Sequence, residues 1–224
     1  NEQTFTPPTE KLTAVTNTTL LTCQSNRFID NSSNPKNITS FGSSSVSAFN
    51  PFGQDSEYAA GENKGSTYFD GVGDYLDTET TLKDLGTDDF TIELFINPAD
   101  VDSRAIIDTR QDGNPSTGWL LYLTTNGLVF YHRTDSRVQH PVPTNAWAHV
   151  AVVRESGTLK LFINGTLEDS TSYTFSLSDG DDFKIGSKSF SSSGVEEFQG
   201  YMSDLKIVKG TALYTSDFTP PTSP

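Results

Sequence analysis

Trp119-Leu120-Leu121-Tyr122-Leu123 and Leu128-Val129-Phe130-Tyr131-His132 stand on either side of Asn126-Gly127. Val150 to Arg154 and Thr158 to Ile163 flank Ser156-Gly157 in the same way, and the latter run meets Asn164-Gly165 before Thr166-Leu167-Glu168. Short runs of β-branched and aromatic residues broken by two-residue polar-Gly steps spell β-hairpins. Asn-Gly tolerates positive φ at both central positions, as a tight type I′ turn requires. Three such signals in succession predict an antiparallel meander.

The same pattern extends outward. Phe90, Ile92, Leu94 and Ile96 alternate with Thr91, Glu93, Phe95 and Asn97, and Tyr201, Ser203, Leu205 and Ile207 alternate with Met202, Asp204, Lys206 and Val208. A period of two places one set of side chains on a core and the other on the opposite face. Shorter strands are expected at 18–23, 38–41, 45–49 and 183–186, and on both sides of Gly71-Val72-Gly73. Asp30 to Pro35 reads as a turn, Pro51 to Gly65 as a loop, and Thr80 to Leu85 as a short helical turn. About twelve strands are too many for one flat open sheet, so two packed antiparallel sheets with little helix are expected.

Composition agrees. Only 33% of the 224 residues are hydrophobic, yet 11% are aromatic, and 17 Gly and 11 Pro punctuate the chain. No apolar run approaches the roughly 18 residues of a spanning helix, so membrane insertion is not expected. Acidic residues outnumber basic ones 29 to 15, for a net charge of −14. That excess opposes binding to DNA, RNA or anionic lipid, each of which needs clustered cations. Cys23, the single cysteine, cannot form a disulfide within the chain. In Leu20-Leu21-Thr22-Cys23 it reads as a small buried apolar residue rather than a nucleophile. N-x-S/T sequons occur at Asn17, Asn31, Asn37 and Asn164.

The chain also repeats itself. Phe5-Thr6-Pro7-Pro8-Thr9 returns as Phe218-Thr219-Pro220-Pro221-Thr222. Almost the whole chain separates the copies, which suggests one unit of a tandem array with part of the joint at each end. On that reading residues 1–17 and 211–224 are inter-repeat linkers, semi-rigid at Pro-Pro, and residues 18–210 form one β-sandwich.

An ordered series of segments carries a family resemblance. It runs from Phe69-Asp70-Gly71-Val72-Gly73-Asp74-Tyr75-Leu76 through Phe90 to Pro98, Trp147 to Arg154, Leu161-Phe162-Ile163-Asn164-Gly165 and Ile185-Gly186, to Phe198 to Ile207. The series resembles the laminin-G-like branch of the concanavalin A-like lectin/glucanase superfamily. Phe28-Ile29-Asp30-Asn31-Ser32-Ser33 is similar to the entry turn of the same module. The tail from Lys209 to Pro221 is similar to repeats joining such modules in large structural proteins of marine bacteriophages and some marine bacteria. The resemblance implies a two-sheet jelly roll and a binding role on a virion surface or an extracellular or cell surface. The implied partners are cell-surface glycan, neighbouring structural subunits and adjacent copies of the repeat.

Candidate site residues follow. Trp119, next to Gly118 at a strand start, could offer a loop-edge ring to a glycan. Trp147 and His149 share a strand face, where they either stack on a sugar or pack the strand. Laminin-G-like domains often hold a calcium ion at the sandwich rim through Asp residues from two loops. The matching positions here are Asp112, Asp179 and Asp181, whose carboxylates and nearby carbonyls suit a hard cation. Glycoside hydrolysis needs two carboxylates flanking the bond. The comparable strands carry only a lone Glu93 and a lone Asp204, and adjacent Glu196 and Glu197 would face opposite ways. His132, His140 and His149 lack zinc spacing, and no nucleophile elbow or phosphate loop is present. A non-enzymatic module is therefore expected.

Overall fold

The computed structural model describes residues 13–24, 27–52, 65–78, 83–111, 114, 116–132, 135–178, 180–188 and 196–221. Among these, the chain forms β1 (Thr18–Thr22), β2 (Ile38–Phe41), β3 (Ser45–Ser47), β4 (Ser66–Asp70), β5 (Tyr75–Thr78), β6 (Phe90–Pro98) and β7 (Arg104–Asp108). It continues through β8 (Trp119–Thr124), β9 (Gly127–His132), β10 (Asp135–His140), β11 (Ala148–Glu155), β12 (Thr158–Ile163), β13 (Thr166–Ser172), β14 (Lys184–Ile185) and β15 (Gln199–Lys209). No described residue belongs to an α-helix, and none lies in a helix long and apolar enough to cross a membrane. The first half of Thr80 to Leu85, most of Pro51 to Gly65 and all of residues 1–12 lie outside the described residues.

Two antiparallel sheets face each other. One has eight strands, ordered β13-β12-β11-β6-β15-β4-β3 with β1 also on β15; the other has seven, ordered β10-β9-β8-β7-β14-β5-β2. The alternation in β6 holds: Phe90, Ile92, Leu94 and Ile96 enter the shared core with Leu121, Phe130, Ile107 and Ile185 from the other sheet. β15 follows the expected alternation only past its register slip against β6 between Ser203 and Lys206: Leu205 and Ile207 enter the core as read, but before the slip Met202 does so in place of Tyr201. Asp204 sits in that bulge with φ +52. The acidic entry turn is well satisfied: the Asp30 carboxylate accepts bonds from Leu21 N, Ser32 N, Ser32 Oγ and Lys36 N.

Four expectations need correction. Fifteen strands form among the described residues rather than about twelve, because β7 and β10 escaped the pattern. β7 is short and bulged between Ala105 and Ile107, and β10 is a polar edge strand. Second, the three hairpins do not form one meander. β8 and β9 belong to one sheet and β11 to β13 to the other. Third, Asn126-Gly127 is not a type I′ turn. Thr124 pairs with Gly127, and only Gly127 has positive φ, at +108. Ser156-Gly157 and Asn164-Gly165 do show positive φ at both positions. Fourth, residues 211–221 are no free linker. Tyr214 is buried with Ala151, Val153 and Phe162 on the outer face of the eight-stranded sheet.

Candidate functional site

Trp119 is wholly buried, 0% exposed. Its indole stacks on Phe130 at 5.7 Å, meets Phe183 edge-on at 6.1 Å, and donates Nε1–H to Lys83 O at 2.8 Å. A ring so enclosed is a core element, and the expected glycan contact at the loop edge is not available to it. Asp112 and Asp179 lie outside the described residues. Asp181 pairs with Lys83 at 3.6 Å, and no group of three His, Cys, Asp or Glu among the described residues is placed to hold a metal ion. Cys23 is buried, and burial pushes its thiol up to about 11, so it stays a neutral packing group.

The outer face of the eight-stranded sheet carries a closed polar cluster. β6, β11 and β15 bring Glu93, His149 and Lys206 together, all buried. Glu93 Oε2 accepts from Tyr214 Oη at 2.6 Å and lies 3.2 Å from His149 Nε2, while Oε1 lies 2.5 Å from Lys206 Nζ. Burial alone would raise the Glu93 carboxyl, but Lys206 and His149 outweigh it and lower it from 4.5 to about 2. Beside this cluster lie Trp147, Tyr201, Phe49 and Tyr68, packed ring against ring. Trp147 and His149 therefore serve packing. Neighbouring Asp204 accepts from Gln24 Nε2 at 2.7 Å and Ser203 Oγ at 2.8 Å, and burial lifts its carboxyl to about 6.

The outer face of the seven-stranded sheet is built differently. Registered partners share a face, so Asp77, Lys184, Asp108, Leu120 and Tyr131 form one row across five strands. At one end Phe41 stacks on Tyr75 at 4.5 Å with 39% of Phe41 exposed, and Lys184 Nζ lies 5.4 Å from the Tyr75 ring centre. At the other end Tyr122 and half-buried Tyr131 meet edge-on. Lys188 Nζ lies 4.7 Å over the Tyr122 ring and pairs with Glu196, which also accepts from Tyr122 Oη at 3.0 Å. Burial, reinforced by Glu196, pushes the Tyr122 phenol up, so it remains a hydrogen-bond donor. Between the two ends Arg110 grips Asp108 through Nε at 2.9 Å and Nη2 at 2.8 Å. Rings with adjacent cations and hydroxyl-matching carboxylates can hold a polar ligand that also has apolar faces. Sequence reasoning missed this row because its members come from β2, β5, β14, β7, β8 and β9 and from the connection before β15. Tyr75, Leu120, Tyr122, Tyr131 and Lys184 each stand in a run that reads as a strand, but no local pattern joins them into one surface.

A family model described as concanavalin A-like lectin/glucanases superfamily, of the laminin G type, matches residues 69–214. The chain belongs to this superfamily. Comparison with curated proteins gives no match. Among solved structures, the binding domain of Paraclostridial Mosquitocidal Protein 1 has a TM-score of 0.64 at 14% identity, covering 88% of this chain and 50% of that one. The binding domain of botulinum neurotoxin DC in complex with SialylT has a TM-score of 0.59 at 15% identity, covering 88% and 48%. Domain 4 of AbnA, an extracellular arabinanase of Geobacillus stearothermophilus, in complex with arabinotriose, has a TM-score of 0.53 at 16% identity, covering 77% and 84%. The chain thus spans half the length of the mosquitocidal binding domain. At these identities the likeness is one of fold, which agrees with the lectin-like two-sheet sandwich described above.

Proposed function

We propose that this superfamily member is a non-enzymatic binding module that holds glycan against the outer face of its seven-stranded sheet. The observation that carries the reading is the aromatic surface left open at the two ends of the row: Phe41 stacked on Tyr75 beside Lys184, and half-buried Tyr131 beyond buried Tyr122. Sugar rings offer apolar C–H faces to aromatic side chains and hydroxyls to carboxylates and cations, and this row supplies both. The six strands from β2 to β9 extend across roughly 24 Å at about 4.8 Å per spacing, room for several sugar units. Solved structures of the same fold that hold SialylT and arabinotriose support a glycan as the ligand class.

A hydrolytic role is disfavoured by the state of the carboxylates. Glu93 and Asp204, the acids of the strands comparable to the glucanase pattern, are 0% and 1% exposed. Asp108 is likewise enclosed and taken up by Arg110. None of these can flank a glycosidic bond in solvent. In an extracellular or virion-surface array, weak contacts per module would add through multivalency. A purely architectural role is the competing reading, favoured by the repeated Phe-Thr-Pro-Pro-Thr. Calcium held by Asp112, Asp179 and Asp181 stays a separate proposal; a bound ion would give calorimetric heat and a higher Tm, and a flat titration removes it.

A glycan array probed with a tandem form of the chain tests the main proposal. Signals on some glycans are expected, lost in Tyr131→Ala and Lys188→Ala variants that retain the wild-type Tm. A blank array, or binding unchanged by both substitutions, would overturn it in favour of the architectural reading.

A further inference from the structure

The tail crosses the outer face of the eight-stranded sheet, opposite the proposed glycan face. Leu213 N donates to Thr91 Oγ1 at 2.9 Å, Lys160 Nζ to Thr215 O at 2.7 Å, and Leu167 N to Asp217 Oδ1 at 2.8 Å. Phe218 N then donates to Gly165 O at 2.8 Å. The Phe218 ring stacks on Tyr214 at 3.7 Å and meets Phe162 and His149 edge-on at 5.5 and 5.6 Å. Pro221 is buried.

Gly165 makes this seat possible. A Cβ there would lie 1.8 Å from Phe218 O and 2.9 Å from Pro220 Cδ. The Asn164-Gly165 hairpin turn therefore does two jobs: it reverses β12 into β13, and it leaves a slot shaped for Phe-x-Pro. The residues that enter the slot, Phe218-Thr219-Pro220-Pro221, are the ones the chain repeats at Phe5-Thr6-Pro7-Pro8. The residues that anchor the tail further upstream do not repeat. Tyr214 and Asp217 correspond to Asn1 and Thr4. The part kept in both copies is thus the part that contacts the slot.

We propose that the slot formed by Gly165, Phe162 and His149 is a docking site for the Phe-Thr-Pro-Pro peptide, and that Phe5-Thr6-Pro7-Pro8 is made to occupy the same slot on a second copy of this unit. In a tandem arrangement with this offset the two copies are one joint: Phe5-Thr6-Pro7-Pro8 at the start of one unit is the Phe218-Thr219-Pro220-Pro221 of the unit before it, seated in that unit's slot. Only the short segment between Thr9 and the start of β1 is left as a joint, so successive modules are clamped rather than loosely tethered. The proposal does not depend on glycan binding, which uses the other sheet.

The test uses the whole chain. Phe218→Ala removes the ring from the slot and weakens the hold of the resident tail, so the N-terminal peptide of another molecule can displace it. Analytical ultracentrifugation is expected to show concentration-dependent head-to-tail association of Phe218→Ala, absent in Phe5→Ala/Phe218→Ala. A synthetic peptide of residues 1–12 is expected to bind Phe218→Ala about ten-fold or more tightly than wild type, whose own tail occupies the slot. Backbone amide NMR shifts should map to Gly165, Phe162 and His149, and a peptide carrying Phe5→Ala should give none. Should Phe218→Ala lose cooperative unfolding, Phe218→Leu serves in its place. A variant that stays monomeric and ignores the peptide, or peptide shifts elsewhere that survive Phe5→Ala, overturns the proposal.

Discussion

Replacing Glu93 with Gln removes the only carboxylate among the described residues that faces the buried Lys206 ammonium at 2.5 Å. In the native protein burial penalises the Glu93 charge, yet Lys206 and His149 hold the carboxyl near 2 against an ordinary 4.5. At about 1.4 kcal/mol per unit this difference stabilises the fold by about 3 kcal/mol. Because the folded-state value is depressed, the stabilisation is complete above pH 4.5 and is lost as pH falls towards 2. Glu93→Gln also leaves Lys206 charged and enclosed, and breaking one side of a buried pair costs about 3–5 kcal/mol. We expect Glu93→Gln to lose about 3 kcal/mol or more at pH 7 in urea unfolding followed by tryptophan fluorescence, with the deficit shrinking at lower pH. Glu93→Leu combined with Lys206→Met is expected to recover most of that loss, since apolar replacement of a buried ion pair is often neutral. A Glu93→Gln deficit under about 1 kcal/mol at pH 7, or one that stays constant down to pH 3, would refute the reasoning.

Three further outcomes are expected. Asp204, lifted to about 6 from 3.8 mainly by burial, favours the fold while protonated and loses that contribution as pH rises through 6. Asp204→Asn keeps the bond from Gln24, suits the φ of +52, and should raise Tm at pH 8 while leaving it nearly unchanged at pH 4, as scanning calorimetry will show. Arg154→Met strips donors from the carbonyls of Gly86, Asp88 and Phe175, and should cost about 2–4 kcal/mol in urea unfolding. Trp119→Ala should cost about 3–5 kcal/mol and, under conditions where it is folded, leave glycan retention unaltered; loss of retention alone would restore the indole as a ligand contact.

The candidate face shows where legibility stops. Tyr122 and Tyr131 were visible as strand aromatics, but nothing along the chain says that Lys188 lies over one ring or that Phe41 stacks on Tyr75. Trp119 illustrates the reverse. Its position at a strand start suggested an accessible ring, yet the facing sheet supplies Phe130 and Phe183 to bury it.

Period-two alternation in β6 and β15 and the turn chemistry of Ser156-Gly157 and Asn164-Gly165 act between residues a few positions apart. The sequence by itself therefore determined an all-β sandwich, its main strands and an acidic net charge. The division of hairpins between two sheets was left to tertiary structure. So was the Glu93 cluster, whose members are separated by as many as 121 positions from Glu93 to Tyr214, and the seating of the tail against Gly165. These depend on which faces meet once apolar surfaces are buried, and contact between distant strands leaves no local period to read.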